Sequence, residues 1–334
     1  MKNKRLWWLL FWFVAIFLVV WALSAVPLSE TVALLLKLRP ADLLIWLLMN
    51  LVVVVTMTGR WWYVLEGMGY KLPLAKLTTY RLAAYGVSYF TPGPQFGGEP
   101  FLVFPVQQRH DVPTTTAIAA VSVEKALELL VNFLFLATGL LISLLGQGEK
   151  GALTYGLIPL VIGLISVPVT FLWLFWRGQQ PISRLLRWLQ GRISRLRLGK
   201  TLARIEEVED GITAFCRHAP RAMRLALLGS FINWSLMLLE YWFLYYILGT
   251  PLTPLMLATA YTAARLAFLV PTPGALGALE ASQVAATSLM GLDPALGFST
   301  ALLIRLRDIL IGVVGLLYAR QLGKNDDRER RSLF

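Results

Sequence analysis

Cysteine and histidine are nearly missing from this chain of 334 residues, which has one cysteine, Cys216, and two histidines, His110 and His218. A lone thiol excludes a disulfide framework and a thiolate metal cluster. Two histidines far apart, both in basic segments, offer no metal-ligand spacing. No HExxH pair, Walker A loop or GxSxG elbow is present, so no nucleophile, metal or cofactor set is identified, and the expectation is a protein that is not an enzyme. Charge is scarce too, at 15% of residues, with 19 Asp and Glu against 31 Lys and Arg.

Apolar residues are abundant. They make up 57% of the chain, the mean hydropathy is +0.64, and several runs exceed the roughly 18 residues that mark a spanning helix. The expected class is an all-α polytopic membrane protein, a single transmembrane domain over 1–334. The net charge of +12 then reflects loops facing anionic headgroups rather than nucleic acid. The first apolar run is too long for a signal peptide and is read as a retained helix.

Full spans are predicted at 6–26, 41–65, 114–145, 152–176, 222–248 and 294–320, about six in all. Two further apolar stretches, 74–108 and 254–290, are broken by Pro and Gly. Broken backbone cannot face lipid, so each is expected to be a re-entrant helical hairpin buried in protein or lining a wet cavity. The basic residues before the first span, around the first hairpin, through the middle loop and after the last span all fall on one side. The positive-inside rule makes that side cytoplasmic, with both termini. Lys37 and Arg39 fall on the other side and run against this pattern.

The chain repeats itself. Thr91-Pro92-Gly93 and Glu99 return 181 positions later as Thr272-Pro273-Gly274 and Glu280, and the same offset pairs Trp61 with Trp242, Pro73 with Pro254, Tyr80 with Tyr261 and Pro113 with Pro294. Half one is therefore 1–146 and half two 152–320. Three spans separate the starts of the mates 41–65 and 222–248, so the halves are expected to have inverted topology, the arrangement that underlies alternating access in transporters. The loop 177–221 between them is basic and amphipathic. Trp188, Leu189, Ile193, Leu196 and Leu198 alternate with arginines, which fits either a helix on the inner leaflet or a solvated loop that only sets topology.

Ionisable residues at membrane depth are costly and mark functional sites by default. Glu99 and Glu280 end the paired motifs, as cavity carboxylates or as caps of the helices that follow. Glu124, Lys125 and Glu128 interrupt one span, and Arg305, Arg307 and Asp308 its mate. Glu124 and Arg305 correspond in the repeat, and either pair across the pseudo-axis or line a pathway. Arg81 and Arg265 lie in the first arms of the two hairpins and suit phosphate, or else pair with the motif glutamates. Glu240 lies deep in the fifth span without an evident mate. Pro92, Gly93, Gly97, Gly98, Pro273, Gly274 and Gly277 supply the broken backbone.

The two motifs, Thr91-Pro92-Gly93 through Gly97-Gly98-Glu99-Pro100 and Pro271-Thr272-Pro273-Gly274 through Gly277 and Glu280, resemble those of the lysylphosphatidylglycerol synthase transmembrane, or flippase-like, family, over about residues 10–320. The first departs from the family at Pro94 and Gln95. The resemblance implies an inner-membrane protein that moves a lipid, in the bifunctional synthases an aminoacylated phosphatidylglycerol, between leaflets. Nothing after Arg331 corresponds to the aminoacyl-transferase domain, so synthase activity is not expected. The combined expectation is a transporter of a phosphate-containing lipid, zwitterionic or aminoacylated, with Glu99 and Glu280 holding an amine or proton and Arg81, Arg265 and Arg305 holding phosphate. The alternative is a lipid-binding or scaffold protein of envelope biosynthesis, with a homo-oligomer or a biosynthetic enzyme as partner.

Overall fold

The computed structural model describes residues 28–91, 97–147, 152–192, 199–270 and 272–332. The expected span at 6–26 and Pro92 and Gly93 of the first motif lie outside them, as do Ile193, Leu196 and Leu198 of the middle loop. Among the described residues the regular structure is helical throughout: α1 (Leu28–Leu36), α2 (Pro40–Gly67), α3 (Leu74–Phe90), α4 (Pro100–His110), α5 (Thr114–Gln147), α6 (Ala152–Trp176), α7 (Pro181–Arg192), α8 (Gly199–His218), α9 (Pro220–Ile247), α10 (Pro254–Ala267), a 3₁₀ turn (Pro273–Ala275), α11 (Ala278–Leu289) and α12 (Pro294–Ser332).

Among the described residues, four helical segments are long and apolar enough to cross a membrane: Pro40–Gly67, Thr114–Ile142, Ile158–Trp176 and Pro220–Ile247. The expected span at 294–320 lies within the 39-residue α12, where Arg305, Arg307 and Asp308 interrupt the apolar run. Leu44, Leu48 and Leu51 of α2 and Leu310, Val313 and Leu317 of α12 are exposed, an apolar outer surface suited to contact with lipid.

Proline and glycine punctuate both halves alike. Pro40 and Pro220 occupy the first turn of α2 and α9, where the missing N–H costs no helical bond. Both helices stop just before a left-handed glycine, Gly69 (φ 94°) or Gly249 (φ 87°). A short helix, a break and a second short helix then follow in each half. These four helices hold 17, 11, 14 and 12 residues, each below the roughly 20 needed to cross a bilayer alone. The motif glycines explain the breaks: Gly97 (φ 118°), Gly274 (φ 53°) and Gly277 (φ 78°) take backbone that a Cβ disfavours,.

Helices from before and after residue 150 interlock rather than sit side by side. Helix α2 packs on its repeat mate α9, α3 on α12, and α10 on α5. At the α3–α12 crossing a Cβ on Gly86 would come within 2.6 Å of the Gly312 carbonyl, and one on Gly315 would collide with the Leu82 carbonyl. Small residues let two backbones touch where no hydrophobic drive separates helix from lipid. One apolar cluster gathers Trp61, Leu65, Leu77, Leu102 and Phe215. A second gathers Trp46, Trp234, Tyr245, Tyr261 and Ile304.

Candidate functional site

A cavity of about 500 Å³ opens between elements of both halves, walled by α2, α3, the start of α4, α5, α6, α9, α10 and α12. Its lining holds four cations, Arg81, Lys125, Arg265 and Arg307, and three carboxylates, Glu99, Glu128 and Asp308. Asn50, Ser88, Tyr85, Asn132 and Asn233 add neutral polar groups, while Leu164 and Val167 of α6 and Leu269 form an apolar wall. Val167 and Leu269 are also 63% and 39% exposed, so this wall continues into the outer apolar surface.

Three charge clusters surround the cavity. In the first, Glu124 is buried on α5 and holds Arg60 of α2 through Nε at 2.9 Å and also through Nη2. Arg81 Nη2 lies 3.0 Å from the same Glu124 oxygen. Glu128, one turn along, lies 3.3 Å from Arg60 and 3.2 Å from Lys125. Three cations thus share two carboxylates. An ionised side chain at this depth needs a counter-charge or a polar cavity, and the shared carboxylates fix α2 and α3 to α5. Arg81 also lies over the Trp61 ring at 5.4 Å.

The second cluster centres on Glu240 of α9. It accepts from Trp46 Nε1 at 2.8 Å, Asn50 Nδ2 at 3.2 Å and Arg307 Nη1 at 2.7 Å. Arg307 is shared with Asp308, its Nε lying 2.9 Å from Oδ1. Two carboxylates on one cation leave this end negative. The mate that the sequence failed to supply for Glu240 is therefore Arg307, with the Trp46 indole and Asn50 amide completing the shell.

The third cluster lies outside the cavity lining. Arg305 binds Glu280 with both arms of its guanidinium, Nε to Oε1 at 2.7 Å and Nη2 to Oε2 at 3.1 Å. It also donates to the Ala275 carbonyl at 2.7 Å and to the Gly274 carbonyl. Glu280 in turn accepts from Gly277 N–H at 2.9 Å. The pair thus staples the second broken loop and has little left for a ligand. Glu124 and Arg305, open to pairing across the repeat axis on sequence grounds, each bind other partners instead.

Glu99 has no such partner. Its Oε2 accepts from Gly97 N–H at 2.8 Å, and among the described residues no cation lies within ion-pair distance. The two glutamates match in sequence, and each accepts from a nearby glycine N–H, but only Glu99 lines the cavity. Gly98 lies so close to α3 that a Cβ would collide with the Ala84 carbonyl, which seats the start of α4 against the cavity wall. Arg265 is the opposite charge left over. Its guanidinium lies 5.0–5.2 Å from the rings of Trp234, Tyr261 and Phe268. Its buried Nε has no hydrogen-bond partner, and no carboxylate among the described residues pairs with it.

Against the known families, the profile of the lysylphosphatidylglycerol synthase transmembrane region matches residues 8–315. The chain belongs to that family. It is accordingly a multi-pass membrane protein of a family concerned with membrane lipid. No curated protein and no solved structure matches the chain.

In this member of the lysylphosphatidylglycerol synthase transmembrane family, seven of the ionisable residues singled out in the sequence line one cavity: Glu99, Arg81, Arg265, Lys125, Glu128, Arg307 and Asp308. Glu124 stands behind that lining, and Glu280 and Arg305 bind each other. The residues missed were Arg60, Trp46 and Asn50. Arg60 adjoins Trp61-Trp62, so it reads as part of an interfacial belt, yet it is 1% exposed. The available signal was its position inside the predicted span 41–65.

Proposed function

We propose that the protein is a flippase-like lipid transporter, moving a phosphate-containing amphiphile with a zwitterionic or aminoacylated headgroup between leaflets by alternating access. The observation that carries this reading is the pair of unmatched opposite charges, Arg265 and Glu99, on one cavity that both halves enclose. A buried guanidinium N–H without an acceptor favours an oxyanion, and a phosphate offers several acceptors in the geometry that arginine fits. A carboxylate with one backbone partner favours an ammonium group or a proton. A headgroup bearing both signs answers both, and the apolar wall at Val167 and Leu269 lets acyl chains remain in hydrocarbon. No residue is assigned a catalytic role in this reading.

The topology proposed with it is an inverted repeat of spans and two re-entrant hairpins, α3–α4 and α10–α11, with cytoplasmic termini in an inner membrane. The repeated order of long and short helices, the interlocked crossings α3–α12 and α10–α5 and the one-sided distribution of basic residues support it. The test is a leaflet-resolved transfer assay in proteoliposomes with labelled phosphatidylethanolamine, phosphatidylglycerol or a neutral diacylglycerol. Transfer of phospholipid that falls on Arg265→Gln and on Glu99→Gln, with both variants still melting cooperatively above the assay temperature, supports the transporter. Equal transfer by wild type and both variants, or equal transfer of diacylglycerol, rejects it in favour of a lipid-binding scaffold.

A further inference from the structure

Helix α7 stands apart from the charged interior, and its position is set by a carboxylate. Glu209 of α8 is fully buried and accepts from the backbone N–H of Ile182 at 2.8 Å and of Ser183 at 3.0 Å. Two of the free amides at the start of α7 are satisfied in this way. Gln180 donates to Asp210 at 2.7 Å, and Arg187 lies 3.3 Å from Glu206. Arg217 of α8 donates through Nε to the Trp176 carbonyl at the end of α6, at 2.9 Å. Helix α7 is therefore held at a set distance from the spanning helix α6, across only the link 177–180.

Held there, α7 turns apolar side chains outward. Ile182, Leu185 and Trp188 are 46%, 55% and 53% exposed, and their three-residue spacing puts them on one side of the helix. Arg184 and Arg192 are exposed beside them, with the Arg192 guanidinium 4.6 Å from the Trp188 ring. At the adjoining end of α6, Arg177 lies 4.2 Å from the ring of Trp173, and Trp176 is exposed. Tryptophan and arginine at the end of a spanning helix mark the headgroup level of a bilayer.

We propose that α7 is an anionic-lipid-binding helix lying in the headgroup layer, with Ile182, Leu185 and Trp188 at the acyl boundary and Arg184 and Arg192 on lipid phosphates. An exposed apolar stripe beside paired arginines fits an interfacial helix, and the adjoining end of α6 puts a membrane surface within reach of it. Charge chooses among lipids: basic residues near an anionic surface each contribute favourably, whereas a zwitterionic surface offers no net field. The Glu209 cap keeps the helix at that depth instead of leaving it as a loose basic loop. The inference rests on α6 spanning the membrane and does not depend on lipid transfer.

The experiment uses the full chain in nanodiscs of phosphatidylcholine, alone or mixed with phosphatidylglycerol. An environment-sensitive fluorophore is attached at Leu185→Cys on the apolar face, and separately at Gly191→Cys, where a Cβ meets nothing within 4 Å. The expected result is blue-shifted emission and shielding from aqueous iodide at position 185 with phosphatidylglycerol present, but not at 191. Arg184→Gln and Arg192→Gln should each lower the bound-to-free ratio about fivefold, the equivalent of about 1 kcal/mol per basic residue near an anionic surface. High salt should weaken the shielding as it screens exposed charge. A position-185 probe that stays in water in both compositions overturns the proposal and leaves the face to a soluble partner. Shielding as strong in phosphatidylcholine alone, or unchanged by the arginine substitutions, overturns it too.

Discussion

Arg305 grips Glu280 through two bonds, Nε–Oε1 at 2.7 Å and Nη2–Oε2 at 3.1 Å. The repeat position of Arg305 in the first half is Glu124, a carboxylate turned to Arg60 and Arg81, so Glu99 has no equivalent clamp. The two matched motifs thus differ by a charge reversal at this position. The second loop is locked by its own ion pair, and the first offers its glutamate to the cavity.

Substituting the two matched glutamates should accordingly give different outcomes. Glu280→Gln leaves Arg305 as a buried charge short of its partner, a class of change that costs about 3–5 kcal/mol, and should lower the melting temperature sharply. Glu99→Gln removes a carboxylate with one backbone bond and should leave melting near wild type while slowing phospholipid transfer. Thermal unfolding in detergent beside the transfer assay measures both. Equal melting of the two variants would contradict the difference in roles.

Arg265 lies against three aromatic rings and, among the described residues, pairs with no carboxylate, so neutralising it strands none of those carboxylates. Arg265→Gln should cost at most about 1–2 kcal/mol of stability through lost cation–π contact. A charge-assisted hydrogen bond to a phosphate is worth about 1.5–3 kcal/mol, so retention of phospholipid should fall roughly tenfold or more. Native mass spectrometry of copurified lipid checks this. A variant that retains phospholipid like the wild type would leave Arg265 with a packing role alone.

The contact of α3 with α12 tolerates no Cβ. Gly315→Ala would drive a methyl into the Leu82 carbonyl, and overpacking of this kind costs about 1–3 kcal/mol. Gly323→Ala, where a Cβ meets nothing within 4 Å, is the control and should be neutral. Melting temperatures of the pair test whether this crossing holds the halves together.

Cys216 lies on α8, outside the apolar spanning segments, and is 8% exposed; burial pushes its thiol up to about 11. Near neutral pH the reactive thiolate is therefore about a hundredfold rarer than for an ordinary thiol. Raising the pH toward 11 should recover reactivity. The folded chain should resist maleimide at pH 7, and an exposed cysteine introduced elsewhere should label freely. Arg109→Cys and Thr253→Cys, beside the two hairpins, should then label from opposite sides of sealed vesicles. Labelling from one side would sink the inverted repeat.

Composition and spacing alone determined that this chain is a helical membrane protein and where its backbone breaks. Apolar run length is a local property, and so are the φ preferences that Gly97, Gly274 and Gly277 satisfy. The matched Pro and Gly positions 181 residues apart are likewise a property of the sequence alone. Partner choice was not legible. Whether Glu280 meets a ligand or Arg305, and whether Glu240 meets anything, depends on how four helices distant in sequence converge, and no spacing along one helix encodes that. Trp46 and Asn50 look like ordinary span residues until Glu240 arrives from α9. Only the packing of α2 on α9 and of α3 on α12 decided which charges neutralise one another and which, Glu99 and Arg265, are left facing the cavity. At membrane depth an ionised group must find a counter-charge or a polar cavity, and either one is built by elements far apart in the chain.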